Sequence, residues 1–402
     1  KPAQAKLATE AHQVLINYCG KCHGKGGSYS DEMLLDYTEL VGGDEPVVVK
    51  GKVDESFLYE TIAEGDMPPK KAKKPIPADK LALIKRWIEG GAPDWNLAPQ
   101  QKREFVSMDS VIDSIVKDLR RLPNRKRQFV RYYTLTHLYN AGESEDALGN
   151  YRIALSKLVN SLSWKRKITN PVIIDPQKTI LRLDLRDYGW TKGIWRKITD
   201  SYPYAVNYPT KSYERLCGLT TAEVPILRTD WFISTAGLPP LYHDILALPN
   251  TDKELEKSLR VDVGENLRDS PGRSVWRSGF LKSGVSKFNR IVERHTSSHG
   301  AYWKSYDFDS NKGLQNIFQN PMGRIPGRTD GFQHAGGEII FNLPNGLQAY
   351  LLADNTGKRI DEAPANIVFN NQGNDPIIRN GLTCMSCHTS GMKEFKDRAG
   401  EL

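Results

Sequence analysis

The sequence predicts two domains of different class, a small all-α domain over residues 1–100 and a larger α+β domain over residues 101–402. Three observations carry this. Apolar residues recur at helical intervals as far as residue 89, and a polar stretch, NLAPQQKREF, comes shortly after. Strict alternation first appears at ILRLDLRDY near residue 180 and returns in GGEIIFNLPNGLQAYLLADNTGKRID from residue 336. The string Cys-x-x-Cys-His occurs in both parts, at Cys19–Cys22–His23 and at Cys384–Cys387–His388, and takes four of the five cysteines.

Each element has its own pattern. AQAKLATEAHQVLINY carries Leu7, Val14, Leu15 and Tyr18 at helical spacing and leads into Cys19, after which Gly24, Gly26 and Gly27 release the chain. A second helix spans about Asp79 to Glu89, with Leu81, Ile84, Trp87 and Ile88 as its stripe and Gly90-Gly91 as its stop. Between them lies GDMPPKK, in which Met67 stands 44 positions after His23 (67 minus 23) and before the stiff pair Pro68-Pro69. Beyond the linker, helices are expected over 107–122, 124–139 and 143–162. The basic run RRLPNRKRQFVRYY alternates with helix-core residues around a Pro-Asn turn, which reads as solvated helix faces and not as a nucleic-acid surface. A strand is expected at ILRLDLRDY. Val285, Phe288, Ile291 and Val292 then mark an amphipathic helix ended by His295. Pro344-Asn345-Gly346 and Asp354 to Gly357 turn the last alternating region into a three-stranded antiparallel meander, which leads to the second Cys-x-x-Cys-His.

That string is the attachment pattern of c-type haem. Two thiols one helical turn apart can each add across a vinyl group on one edge of the porphyrin, and the imidazole next in the chain falls under the iron as proximal ligand. Two covalent haems are expected, with Cys19, Cys22, Cys384 and Cys387 as attachment points and His23 and His388 as ligands. The alternatives are a thioredoxin-like thiol pair, which usually stands at the end of a strand in a βαβ context that neither site shows, and a single zinc site joining both motifs, which does not account for a histidine directly after each pair. Met67, held on its stiff loop, offers a thioether to the open face of the first iron. His12 stands too close to the attachment site and is expected to pack or to face water. Cys217, the odd thiol, is expected to be buried and inert.

YCGKCHG, GDMPPK and ALIKRWIEGGAP together resemble the planctomycete-type cytochrome c domain. The resemblance covers about a hundred residues and implies a class I cytochrome c fold, electron transfer, and His23 with Met67 as axial ligands. The lysine insertion after MPP is a mild departure. GLPPLYHDILALP, GVSKFNRIVERH and GEIIFNLPNGLQAY resemble an uncharacterised bacterial region found downstream of cytochrome c domains, which implies no particular activity.

The chain after the second motif is too short to enclose the second haem. Only fourteen residues come after His388 (402 minus 388), where a class I domain uses roughly sixty or more, so the distal side must come from upstream. The candidates are His295, His334, Met322, His243, His299 and His137, with His295 leading because a helix end is a rigid place for an imidazole. If no sixth ligand exists, Arg294 and His295 form a peroxidase-like distal pair, with a base for the peroxide proton and a cation for the leaving oxygen.

Hydrophobic residues at 39% and charged ones at 26% describe a globular chain, and no apolar run reaches the length of a membrane span. The formal charge of +8 is reduced by the haem propionates, which argues against a polycation. Lys70, Lys71, Lys73 and Lys74 beside Met67 would steer an acidic redox partner. No P-loop, dinucleotide fingerprint, HExxH or GxSxG occurs. The expected function is single-electron transfer by an exported dihaem cytochrome whose leader is removed, placed in the periplasm or outside the cell because haem is attached there. The alternatives are a haem oxidoreductase with the second haem reactive, and a redox-linked binding module in which aromatics of AYWKSYDF line a site.

Overall fold

A computed structural model describes residues 2–24, 27–29, 34–42, 46–69, 75–97, 103–205, 208–267, 275–281, 283–320, 331–371 and 375–398. The chain divides into two compact units, Lys1–Phe105 and Val106–Leu402. It mixes helix and sheet, and no helix among the described residues is long and apolar enough to cross a membrane.

Every regular element described in the first unit is helical: α1 (Pro2–Tyr18), α2 (Gly20–His23), α3 (Tyr37–Gly42), α4 (Phe57–Ala63) and α5 (Ala78–Glu89). In α5 the residues Leu83, Ile84, Trp87 and Ile88 are buried, a stripe that faces α1 and its Ala8, Ala11 and Leu15. Trp87 Nε1 donates to Pro93 O at 2.9 Å and Tyr37 Oη to Ala92 O at 2.7 Å, so the chain after α5 is folded back on this core.

The second unit opens with α6 (Met108–Arg121), capped by Ser107 Oγ, which accepts from Ser110 N at 3.2 Å. The helix expected over 124–139 is instead α7 (Asn124–Arg127), strand β1 (Val130–Thr134) and α8 (Thr136–Ala141). VRYYT is buried at all five positions. A strand covered on both faces shows an unbroken apolar run, which over so few residues cannot be told from a helix stripe. Next comes α9 (Glu145–Ser161). β1 then pairs antiparallel with β3 (Ile180–Asp184) and parallel with β4 (Ile226–Arg228), while β2 (Val172–Ile173) flanks β3, giving the order β2-β3-β1-β4. On one face Val130 and Tyr132 pack on Ile112, Ile115 and Leu119 of α6. On the other, Tyr133 packs with Leu155 and Val159 of α9 and with Phe232. The basic run is absorbed by this packing: Arg127 donates to Leu122 O and Arg120 O, and the buried Arg131 donates to three main-chain carbonyls.

Helices α10 (Lys192–Asp200), α11 (Lys211–Thr220), α12 (Thr229–Thr235), α13 (Leu241–Leu246), α14 (Asp252–Leu259) and α15 (Val263–Leu267) complete the helical part. Cys217, on α11, is half-buried, and burial raises its thiol pKa.

A six-stranded antiparallel sheet ends the unit, in the order β10-β9-β8-β7-β6-β5. Its strands are β5 (Trp276–Phe280), β6 (Arg290–Ser297), β7 (Gly300–Asp307), β8 (Gly336–Asn342), β9 (Gln348–Asp354) and β10 (Arg359–Ile360). The last three are the meander. His295 therefore does not end a helix: it lies within β6, in register with Tyr302 of β7. The alternation of RIVERHTS is hidden because both faces are enclosed and each carries charged residues. α16 (Leu382–Cys387) closes the described chain.

Candidate haem sites

Both motif segments make one tight helical turn. His23 N donates to Cys19 O and His388 N to Cys384 O, each at 2.9 Å, so each imidazole succeeds its thiols on the same turn. At the first site, the loop after the motif folds onto the attachment segment at glycines. A Cβ at Gly24 would lie 2.3 Å from Gly20 O, and one at Gly27 would lie 2.2 Å from Cys22 O. Tyr29 stacks on His23 with ring centroids 5.7 Å apart. His12 packs flat on Trp95, centroids 4.4 Å apart and planes within 1°. Met67 comes after α4, its N–H donating to Thr61 O at 3.0 Å. It is 44% exposed, so its thioether does not fill the core. Lys70, Lys71, Lys73 and Lys74 lie outside the described residues.

At the second site, α16 is fixed from beneath. Leu382 N donates to Gly237 O at 2.7 Å, and Gly381, at φ +91°, leaves no room for a side chain because a Cβ would stand 2.3 Å from the same carbonyl. Beside it, Asn380 Nδ2 lies 2.7 Å from His243 Nε2 in a buried pair. The other ring nitrogen of His243 is 3.5 Å from Asp361. Burial, with Arg359 nearby, lowers the His243 pKa to about 4.

Above α16 opens a cavity of about 1050 Å³ lined by Cys384, Cys387 and His388. Strand alternation supplies the facing wall, with Val292 from β6, Trp303 and Ser305 from β7, Glu338 and Ile340 from β8, and Tyr350 and Leu352 from β9. Tyr350 approaches His388 with ring centroids 6.0 Å apart. His388 Nδ1 lies 3.0 Å from Gly391 O. A carbonyl only accepts, so Nδ1 is the donor, and Nε2 is the nitrogen the neutral ring would offer to a metal.

These residues fit a c-type haem: two thiols and one imidazole on a common wall, apolar side chains opposite, and Lys393, Lys396 and Arg398 in the lining for propionates. Neither Cys19 nor Cys384 has the depressed pKa of an attacking redox thiol. Burial pushes Cys19 up to about 11, with Cys22 adding to it, and pushes Cys384 up to about 12. Among the described residues no group of three or more His, Cys, Asp or Glu is gathered to hold a bare metal ion.

None of the described distal candidates lines this cavity. His295 lies on the opposite face of the sheet, fully buried, with Nδ1 3.1 Å from Asn266 Nδ2 and Nε2 3.3 Å from Glu293 Oε2. Both ring nitrogens are thus engaged. Arg294 and His295 cannot form a distal pair, because successive residues of a strand point to opposite faces. His334 packs edge-on against Tyr306 at 5.1 Å, on the His295 side. His243 sits beneath α16, His137 pairs with Asp230 at 3.0 Å, and His299 lies near Trp164 at 6.3 Å. Met322 falls outside the described residues. Of AYWKSYDF, Trp303 and Ser305 reach the cavity, while Tyr302 and Phe308 are buried in cores.

Sequence reasoning misses Arg290, Ser305 and Glu338 as site residues. For Glu338 a signal exists, since in GGEIIF it shares a strand face with Ile340. Arg290 lies in the segment whose apolar spacing predicts a helix.

No family model, curated protein or solved structure matches the chain.

Proposed function

We propose that the chain is an exported dihaem c-type cytochrome that passes single electrons between redox partners, with one haem on Cys19, Cys22 and His23 and the other on Cys384, Cys387 and His388. The observation that carries the reading is the second site: both thiols and an imidazole with its Nδ1 tied to Gly391 O share one wall of a large cavity. When bound, the haem would supply a one-electron redox couple. The chain's own part is to hold the imidazole tautomer fixed, to exclude water with Val292, Ile340 and Leu352, and to meet the propionates with Lys393, Lys396 and Arg398.

In the first unit, His23 and Met67 are the proposed axial pair of a class I cytochrome c domain, and Lys70, Lys71, Lys73 and Lys74 the proposed docking patch for an acidic partner. The deciding experiment is the intact mass of the exported protein, which should exceed the polypeptide by two haems. One haem or none would refute the reading.

One observation favours an enzyme as the second reading. Among the described residues His388 is the only histidine lining the cavity, while Arg290 and Glu338 both line it. A haem oxidoreductase fed by the first haem is then the alternative. Added cyanide separates the two: a second iron that takes it up favours the enzyme, and two irons that refuse it favour the relay.

A further inference from the structure

The sheet wall of the cavity carries a buried charge cluster. Arg290 Nε donates to Asp307 Oδ1 at 2.5 Å and Arg290 Nη1 to Glu338 Oε2 at 3.2 Å. Ser305 Oγ donates to Asp307 Oδ2 at 3.0 Å and accepts from Glu338 N at 2.8 Å. Arg290 is 7% exposed, Ser305 5% and Asp307 2%. Arg290, Ser305 and Glu338 line the cavity, and Asp307, in register with Arg290 on the same sheet face, is held by Arg290 and Ser305.

One guanidinium faces two carboxylates. Asp307 is buried while Glu338, 19% exposed, borders the cavity, so the fully ionised cluster holds an unbalanced negative charge largely shielded from water, which is costly, and one proton removes it. Burial raises the Asp307 pKa; Arg290 opposes this and Glu338 adds to it. The other charged or titratable groups on the cavity are Lys393, Glu394, Lys396 and Arg398 from the segment after His388, with Tyr350 from β9 and the motif residues themselves. Glu293, His295 and Lys304 belong to the opposite face. Arg290 Nη2 has no partner among the described residues, but a third carboxylate placed there would deepen the imbalance, so a propionate clamp does not suit the cluster.

We propose that the Arg290–Asp307–Glu338 cluster is a proton-binding site coupled to electron uptake in this cavity. The proposal rests on the second haem reading. One electron arrives from an external one-electron donor and one proton from solvent forms an O–H bond on a carboxylate oxygen of Asp307; on reoxidation both leave. A separation of about 10 Å serves as an order of magnitude. At that distance and an effective dielectric of about 20, a unit charge changes a proton-binding constant by roughly tenfold or slightly more.

The test is a redox titration of the two-haem protein between about pH 5 and pH 9, the second haem followed by its own absorption. Its reduction equilibrium should fall by up to tenfold per pH unit, which is 59 mV for one electron. Glu338→Gln and Asp307→Asn should each flatten this dependence, while Glu394→Gln should keep it. Should the cluster variants fail to fold, the reduced-minus-oxidised infrared spectrum of the unaltered protein still decides: a deuterium-sensitive carboxylic C=O band should appear on reduction. A pH-independent potential, a dependence that survives both cluster variants, or an infrared spectrum without that band would overturn the proposal. A protein that carries no second haem by mass would instead overturn the reading beneath it.

Discussion

His388 Nδ1 lies 3.0 Å from the carbonyl oxygen of Gly391, three residues on, and this bond fixes which ring nitrogen is left for a metal. The same residue lines the cavity with Cys384 and Cys387. Replacing Cys384 and Cys387 together by Ala should therefore lower the intact mass by one haem and leave the spectrum of the first haem unchanged. Retention of both haems would refute the attachment assignment.

Met67 gives a separate test in the first unit. Met67→Ala should abolish the sulfur-to-iron charge-transfer band of the first ferric haem and lower its reduction potential, since a Met/His pair holds the potential high. The second haem should not respond. An unchanged band would remove Met67 as a ligand.

His295 should matter for stability and not for the haem. His295→Ala leaves Glu293 Oε2 and Asn266 Nδ2 without this buried partner and opens a cavity, at a cost of about 2–4 kcal/mol. Urea unfolding of the second unit measures it. A changed absorption spectrum at the second haem would contradict the placement on the opposite face.

His243 sets an acid limit. Its pKa is lowered from 6.5 to about 4 in the folded chain, chiefly by burial, so the unfolded chain binds more protons between these values. Stability from this group is complete above about pH 6.5 and is lost as the pH falls toward 4, by about 3 kcal/mol in all. Unfolding free energies measured across this window should show that slope, and His243→Gln should reduce it. An equal slope in the variant would assign it to other groups.

The individual elements show where sequence reasoning holds. α5 and α6 are legible because one face is core and the other water, so Leu83, Ile84, Trp87 and Ile88, or Val111, Ile112, Ile115 and Leu119, recur with the helical period. β1 is unreadable for the opposite reason: it is buried on both faces and shows no period. β6 reads as helix because Arg290, Glu293 and His295, all enclosed, break the polar-outside rule on which a period depends.

The sequence by itself determined the two proposed attachment sites, since Cys-x-x-Cys-His is a local pattern: spacing of three along one turn brings thiols and imidazole together. It also placed Met67 on its stiff loop. The surroundings of the second site were decided only by the tertiary structure. A strand sends neighbours to opposite sides, so the adjacent Arg294 and His295 part company, while Arg290, Asp307 and Glu338, up to 48 positions apart (338 minus 290), meet across strand pairings that no local pattern encodes.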